Sequence, residues 1–380
     1  MSQSPHPAAA SGPSPFLLCT CQGGAEAALR QRFGDVFPAA RPGAWRRGVV
    51  SFRLPEDQAA QAAMRSFDLV FARTVIHSFG QVTGDSGATR LAAACSLAGR
   101  GYDNVHVWPR DPRADQPVAE IRAGLLESQG LDPQLSTVAA PGTLVLDCLL
   151  DSAERWWVGW HRCDDMPSRW PGGLAPRGSE PLPEACVSRA WLKLDEAISV
   201  FRIPLQPGQR ALELGAAPGG ACQRLLEAGL EVVGVDPAVI DPCVTASPRF
   251  EQWRMRAREV PLRRCVGFDW LLADMNIDPK STMAAVARIA SAPNVRLQGI
   301  VATLKLPDWS RAAELPGWLE TFRGCGFEPR ARQLSTGGRE ICVVAVRPEQ
   351  GVRSRAAART GGRSASGSVT RRRARHRPGR

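Results

Sequence analysis

From Phe16 onward, short apolar runs alternate with longer stretches whose apolar residues recur at helical spacing. Runs of period two predict strands at 16–21, 48–54 and near 72–79. Period 3.6 predicts helices at 25–33 and 58–66 between them. A helix at 117–129 and two strands at 143–148 and 155–161 follow, the strands joined by a turn at Asp151-Ser152-Ala153-Glu154. Residues 164–184 are rich in Pro and Gly and read as a linker. The second half then changes character. Strands at 210–214, 231–235, 270–273, 299–306 and 341–346 alternate with helices, the first at 220–228, as in a doubly wound α/β sheet. The chain therefore divides into a disordered start (1–14), a small α+β unit (15–80), a second such unit (81–165), a linker (166–185), an α/β domain (186–348) and a disordered tail (349–380).

Charge changes the picture only at the end of the chain. Of the net +11, ten arginines without an acid fall in residues 351–380, and without them 38 basic residues face 37 acidic ones. The folded body is close to neutral, so nucleic-acid binding by it must rest on local patches. The tail, with Arg371-Arg372-Arg373-Ala374-Arg375-His376-Arg377, either grips phosphates without sequence preference or is a solvated extension. Apolar runs are too short for a signal peptide or a membrane span, and the reading is a soluble, cytoplasmic protein without membrane partners, expected to be a monomer. Eleven scattered cysteines include no Cys-x-x-Cys pair, which favours reduced, buried thiols and no metal. Trp156, Trp157, Trp160 and Trp170 are open to two readings, packing in a hairpin or stacking on bases.

Candidate chemistry begins at Glu213-Leu214-Gly215-Ala216-Ala217-Pro218-Gly219-Gly220, between a strand and a helix. Small residues there let a ligand approach the backbone, and the helix start offers free N–H groups. The spacing fits neither G-x-G-x-x-G nor a P-loop. Asp236 ends the next strand, where a carboxylate can accept both hydroxyls of a ribose. Together these fit a nucleoside cofactor with an amino-acid tail. A tight strand-to-helix turn without a ligand is the plainer reading.

Four charged residues surround this loop in order: Lys193 in Leu192-Lys193-Leu194, Asp274 in Ala273-Asp274-Met275, Lys305 in Leu304-Lys305-Leu306-Pro307, and Glu340 after Arg339. With the Gly-Ala-Ala-Pro-Gly-Gly loop, this resembles the FtsJ-like (RrmJ-type) ribose 2′-O-methyltransferases, whose hallmark is a Lys-Asp-Lys-Glu tetrad. The contexts Lys193-Leu194-Asp195-Glu196-Ala197 and Ala331-Arg332-Gln333-Leu334 are similar to the branch that methylates a cytidine of 23S ribosomal RNA. The second half carries the resemblance well. The first half carries it more weakly, in Phe71-Ala72-Arg73 and from Gly159-Trp160 to Pro171. Asp274 and Lys305 both fall at predicted strand ends, where open α/β sheets bind ligands. Glu340, at the start of the last strand, reaches the same edge only if that strand is antiparallel, as the turn signal Thr336-Gly337-Gly338 suggests.

The resemblance implies a Rossmann-like methyltransferase domain with a mostly parallel sheet and an antiparallel last strand. Before it would stand a ferredoxin-like unit and a THUMP-type RNA-binding unit. It implies S-adenosyl-L-methionine as cofactor, held by Ser188, Gly215, Ala217, Pro218, Gly219, Gly220, Asp236 and Asp274, and RNA (23S rRNA or its precursor particle) as partner. Lys305 would be the base, with Lys193, Asp274 and Glu340 completing the catalytic set. Two departures stand out. Ala221 follows the Gly-Gly pair where the family often has Trp, and Ala257 stands where an acid would meet the adenine amino group. Three other readings stay open: an RNA base methyltransferase, a non-catalytic RNA-binding protein that keeps the fold, and a small-molecule methyltransferase. No Pro-Pro-Tyr/Phe element or nucleophilic cysteine marks the first, and the intact tetrad opposes the second. The third leaves the first half of the chain unexplained.

Overall fold

The computed structural model describes residues 14–175 and 182–348. Residues 1–13 of the expected disordered start, the stretch 176–181 of the linker and the arginine-rich tail lie outside the described residues. Two seven-stranded sheets organise the remainder.

The first sheet has the order β2-β3-β1-β4-β7-β6-β5. Its strands are β1 (Phe16–Thr20), β2 (Arg41–Arg46), β3 (Val49–Arg53), β4 (Thr74–Thr83), β5 (Asn104–Pro109), β6 (Leu144–Ser152) and β7 (Arg155–Arg162), with helices α1 (Glu26–Val36), α2 (Glu56–Met64), α3 (Gly87–Ala98) and α4 (Val118–Gln129). β4 pairs with β1 on one side and β7 on the other, so the sheet runs unbroken past residue 80. Three elements escape the sequence reading. β2 is an edge strand exposed at every position, with Arg41, Pro42 and Gly43 in place of an apolar alternation, as edges often are. α3 buries only Ala94 and Ala98, too weak a stripe to mark a helix. β5 is a short, continuously buried strand parallel to β6, a pattern shared with buried helices.

The second sheet has the order β10-β9-β8-β11-β12-β14-β13. It comprises β8 (Arg210–Leu214), β9 (Glu231–Val235), β10 (Phe250–Trp253), β11 (Trp270–Ala273), β12 (Gly299–Lys305), β13 (Glu328–Arg332) and β14 (Glu340–Val346). α5 (Arg189–Phe201), α6 (Gly220–Glu227), α7 (Pro242–Thr245), α8 (Pro279–Ala290) and α9 (Leu315–Gly324) accompany it. β8 to β12 pair in parallel, and β14 inserts antiparallel between β12 and β13. This is a Rossmann-like α/β domain with an antiparallel last strand. The strand at 341–346 thus lies inside the sheet rather than at its edge.

The two sheets share one apolar core, which runs from Leu29, Phe33 and Phe71 to Leu271, Phe322 and Ile341. Phe67 packs edge-on against Phe201, and Phe71 against Trp309. The first part of the predicted linker is built into this body. Two 3-10 turns, Pro167–Arg169 and Pro171–Gly173, press Trp170 and both glycines inward. Gly173 has φ 71°, and a Cβ there would meet the Arg73 carbonyl at 2.6 Å. The glycines therefore serve close packing, not freedom of a hinge. Trp156 is fully buried and Trp160 stacks on His77, so both take the packing role.

Candidate active site

Four elements of the second sheet deliver the four charged side chains to one rim. Lys305 ends β12, and its register partner across the antiparallel pair is Glu340, the first residue of β14. Asp274 follows β11, the strand on the other side of β12. Lys193 comes from the first turns of α5, on the face it shares with Ala190 and Ala197, toward Leu272 and Thr303 of the sheet. Lys305 Nζ donates to Asp274 Oδ1 at 2.8 Å and to Glu340 Oε2 at 2.5 Å. Lys193 Nζ donates to the other oxygen of Asp274 and lies 3.4 Å from Glu340 Oε1. Each carboxylate thus bridges both ammonium groups.

Burial and charge act in opposite directions here. For Lys305, burial works to lower the pKa, but Asp274 and Glu340 outweigh it and hold the ammonium above its usual range. For Asp274, burial works upward, but Lys193 and Lys305 hold the carboxyl below its usual range. Opposite charges within hydrogen-bond reach favour the ionised forms of both partners. Lys305 therefore rests as an ammonium and Asp274 as a carboxylate.

Beside it lies a cavity of about 780 Å³. Gly215, Ala217, Asp236, Ala257 and Asp274 line it, together with Asn276 and Asp278. Gly215 has φ 82°, and a Cβ there would meet the Asp274 carbonyl and the Met275 backbone at 3.0 Å. Only glycine leaves the loop this close to the next strand end. The Asp236 carboxylate closes the loop by accepting from Ala217 N at 3.2 Å and Ala238 N at 2.8 Å. Four of the expected cofactor residues, Gly215, Ala217, Asp236 and Asp274, therefore face one space. Ser188, Pro218, Gly219 and Gly220 do not line it. Gly220 instead packs on Ser188, whose buried hydroxyl has no partner among the described residues, and Gly219 packs on Ile240 and Val244. Ala257 lies in a 3-10 turn after β10, not in a strand. Arg288 of α8 fixes that turn by donating to the carbonyls of Ala257 and Val260. The cavity's size, its ribose-level carboxylate and its tight glycine loop fit a nucleoside with an amino-acid tail.

Three supporting residues escape the sequence reading. Glu196, one turn beyond Lys193, accepts four bonds from the backbones and hydroxyls of Ser335 and Thr336, at 2.6 to 2.9 Å. It pins the loop that leads to Glu340. Glu213, buried on β8, accepts from Cys222 Sγ at 2.8 Å, and burial pushes its carboxyl up to about 8. Gln333 donates to Gln22 Oε1 at 2.8 Å and to the Gly338 carbonyl at 3.3 Å. Glu196 stands within the Lys-Leu-Asp-Glu-Ala context, but its partners lie 139 and 140 residues away, beyond any spacing argument. In the first sheet, His161 bonds Asp147 at 2.5 Å beside His106, a fully buried polar cluster. All eleven cysteines are unbridged.

Comparison with known proteins gives this geometry a lineage. The model of the FtsJ-like methyltransferase family matches residues 186–306. The ribosomal RNA large subunit methyltransferase M of Methylococcus capsulatus is 30% identical over 312 residues, covering 76% of this chain and 83% of that one. The protein of the same name from Xanthomonas oryzae pv. oryzae is 28% identical over 363 residues, covering 87% and 99%. Among solved structures, TrmN from Thermus thermophilus aligns with 88% of this chain and 99% of its own at 17% identity and a TM-score of 0.33. The match begins two residues before Ser188 and ends one residue after Lys305, and the relatives extend it through both sheets. The chain is a methyltransferase and belongs to the ribosomal RNA large subunit methyltransferase M family of FtsJ-like methyltransferases.

Proposed function

We propose that the protein transfers a methyl group from S-adenosyl-L-methionine to a ribose 2′-hydroxyl of large-subunit ribosomal RNA, at a cytidine of 23S rRNA. The observation that carries this is the ring of Lys193, Asp274, Lys305 and Glu340 beside the cavity of Gly215 and Asp236. Asp236 would hold the ribose of the cofactor, and Gly215 and Ala217 of the loop, with Asp274, would stand against its amino-acid tail. When bound, the cofactor supplies a methyl group already activated on a sulfonium.

What remains for the protein is alignment of the hydroxyl and removal of its proton. Alignment alone is worth roughly 7–11 kcal/mol. Lys305 is the base. Its Nζ is an ammonium at rest, so it must shed its own proton before it accepts one. Asp274 and Lys193 orient it and the hydroxyl, and Glu340 completes the network. A base methyltransferase, or a protein that only binds RNA, would leave this cluster without a task. The first sheet, from 15–80 and 81–165, would hold the RNA.

The test incubates the full chain with radiolabelled cofactor and unmodified 23S rRNA and maps the label. The expected product is a 2′-O-methylated cytidine, lost by more than about 100-fold in Lys305→Ala. Label on a base would overturn the reading.

A further inference from the structure

A second pocket, of about 390 Å³, opens in the first sheet. The end of β1 with Gln22, the β2–β3 turn with Arg47, Arg73 before β4, Trp108 of β5 and Arg110 just after it form its walls. We propose that this pocket holds a backbone phosphate of the RNA strand that leads to the target ribose. The proposal rests on the methyl-transfer reading above and names residues that grip the substrate away from the reacting atoms.

Charge and hydrogen bonding point to an anion. The Arg73 Nε is buried and has no partner among the described residues. Burial pulls the Arg73 guanidinium downward, with the carboxylate of Glu196 and the thiol of Cys21 opposing. Glu196 accepts its hydrogen bonds from Ser335 and Thr336 instead. A buried donor left unpaired is costly, and a phosphate offers the planar fork two oxygens at once. Arg47 makes no side-chain hydrogen bond or ion pair among the described residues. Arg110 shares Asp151 with Arg155, at 2.6 and 2.9 Å, so this carboxylate does not neutralise both. Asp111 is the one acid on the wall, and Arg113 covers it.

Position points to the substrate strand rather than to a free ion. Gln22, on the pocket's wall, accepts from Gln333. Gln333 in turn donates to the Gly338 carbonyl, which also accepts from Glu340 N at 2.9 Å. Gly24, in the same loop as Gln22, abuts Trp309, four residues beyond Lys305. Two glutamine side chains thus link the pocket to the turn that carries Glu340. The volume exceeds what a lone phosphate fills and admits a sugar with it.

The experiment measures binding of the full chain to a fluorescein-labelled transcript of the methylated rRNA segment, by anisotropy across a potassium chloride series. Arg47→Gln should weaken binding about tenfold near physiological salt and lower the salt slope by about one. Arg73→Lys, which keeps the charge but loses the fork, should also weaken it. Both variants should bind S-adenosylhomocysteine as the parent does by calorimetry, which excludes misfolding. Arg53→Gln, an exposed arginine outside the pocket, should leave the slope unchanged. Equal effects of Arg47→Gln and Arg53→Gln, or no effect of Arg47→Gln, would overturn the pocket while ribose methylation persists. Loss of ribose methylation in the parent protein would instead strike the underlying function, with the anisotropy still readable.

Discussion

Arg332 Nη2 donates to the carbonyl of Ala72 at 2.8 Å, across 260 positions of the chain. The same nitrogen reaches the Arg73 carbonyl at 3.1 Å, and the next residue, Gln333, donates its backbone N–H to Val70 at 2.9 Å. Phe67 lies against the guanidinium of Arg332. One fully buried side chain therefore ties the first sheet to the hairpin that presents Glu340. Arg332→Ala should destabilise the protein by about 2–4 kcal/mol, because it strands buried carbonyls and opens a void. Urea denaturation measures this, and a loss within experimental error would show that the junction is held elsewhere.

The pH dependence of turnover follows from Lys305. Asp274 and Glu340 raise its pKa against the effect of burial, and the base is its neutral form. Single-turnover rates should therefore climb as pH rises, toward the alkaline end. Glu340→Gln removes one of the two raising charges, so the rising limb should move to lower pH even if the maximal rate falls. A limb that stays in place, or moves upward, would assign it to another group.

Glu196 accepts its hydrogen bonds from Ser335 and Thr336 rather than from the four charged residues, and so fixes the loop before Glu340. Glu196→Gln turns an acceptor of four bonds into a group that must donate at one oxygen's place. The loss should appear in the rate of methyl transfer, by about 10- to 100-fold, with affinity for S-adenosylhomocysteine nearly unchanged. An equal loss in both would mean that the loop shapes the cofactor cavity instead.

Glu213 makes a separate prediction about stability. Its carboxyl sits at about 8 in the folded protein, against an ordinary 4.5. Between these values the unfolded chain releases a proton that the native state keeps, so native stability declines as pH rises through that window. Glu213→Gln has no such titration. Its stability relative to the parent should grow from pH 4.5 to pH 8, by roughly 3–5 kcal/mol at most. A difference that does not vary with pH would place the carboxyl in its ordinary range.

The pattern along the chain was sufficient for the centre of the second sheet, but not for its two edge strands, β10 and β13. β8, β9 and β11 fall where alternation placed them, because central parallel strands are continuous apolar runs between helices with amphipathic spacing. The four charged residues were legible as a set through their resemblance to the FtsJ-like tetrad; of the four, only Lys305, a lysine in a largely buried strand, stood out by itself. Sequence alone could not find β2, α3 and β5, which lack a distinctive period, nor treat Gly172 and Gly173 as packing residues. Tertiary structure alone decided that Lys305 and Glu340 are register partners, that Glu196 anchors the loop at Ser335, and that Arg332 joins the two sheets. The physical reason is range. Periodicity reports which face of an element meets the core, whereas a hydrogen bond between residues hundreds of positions apart depends on how the elements stack.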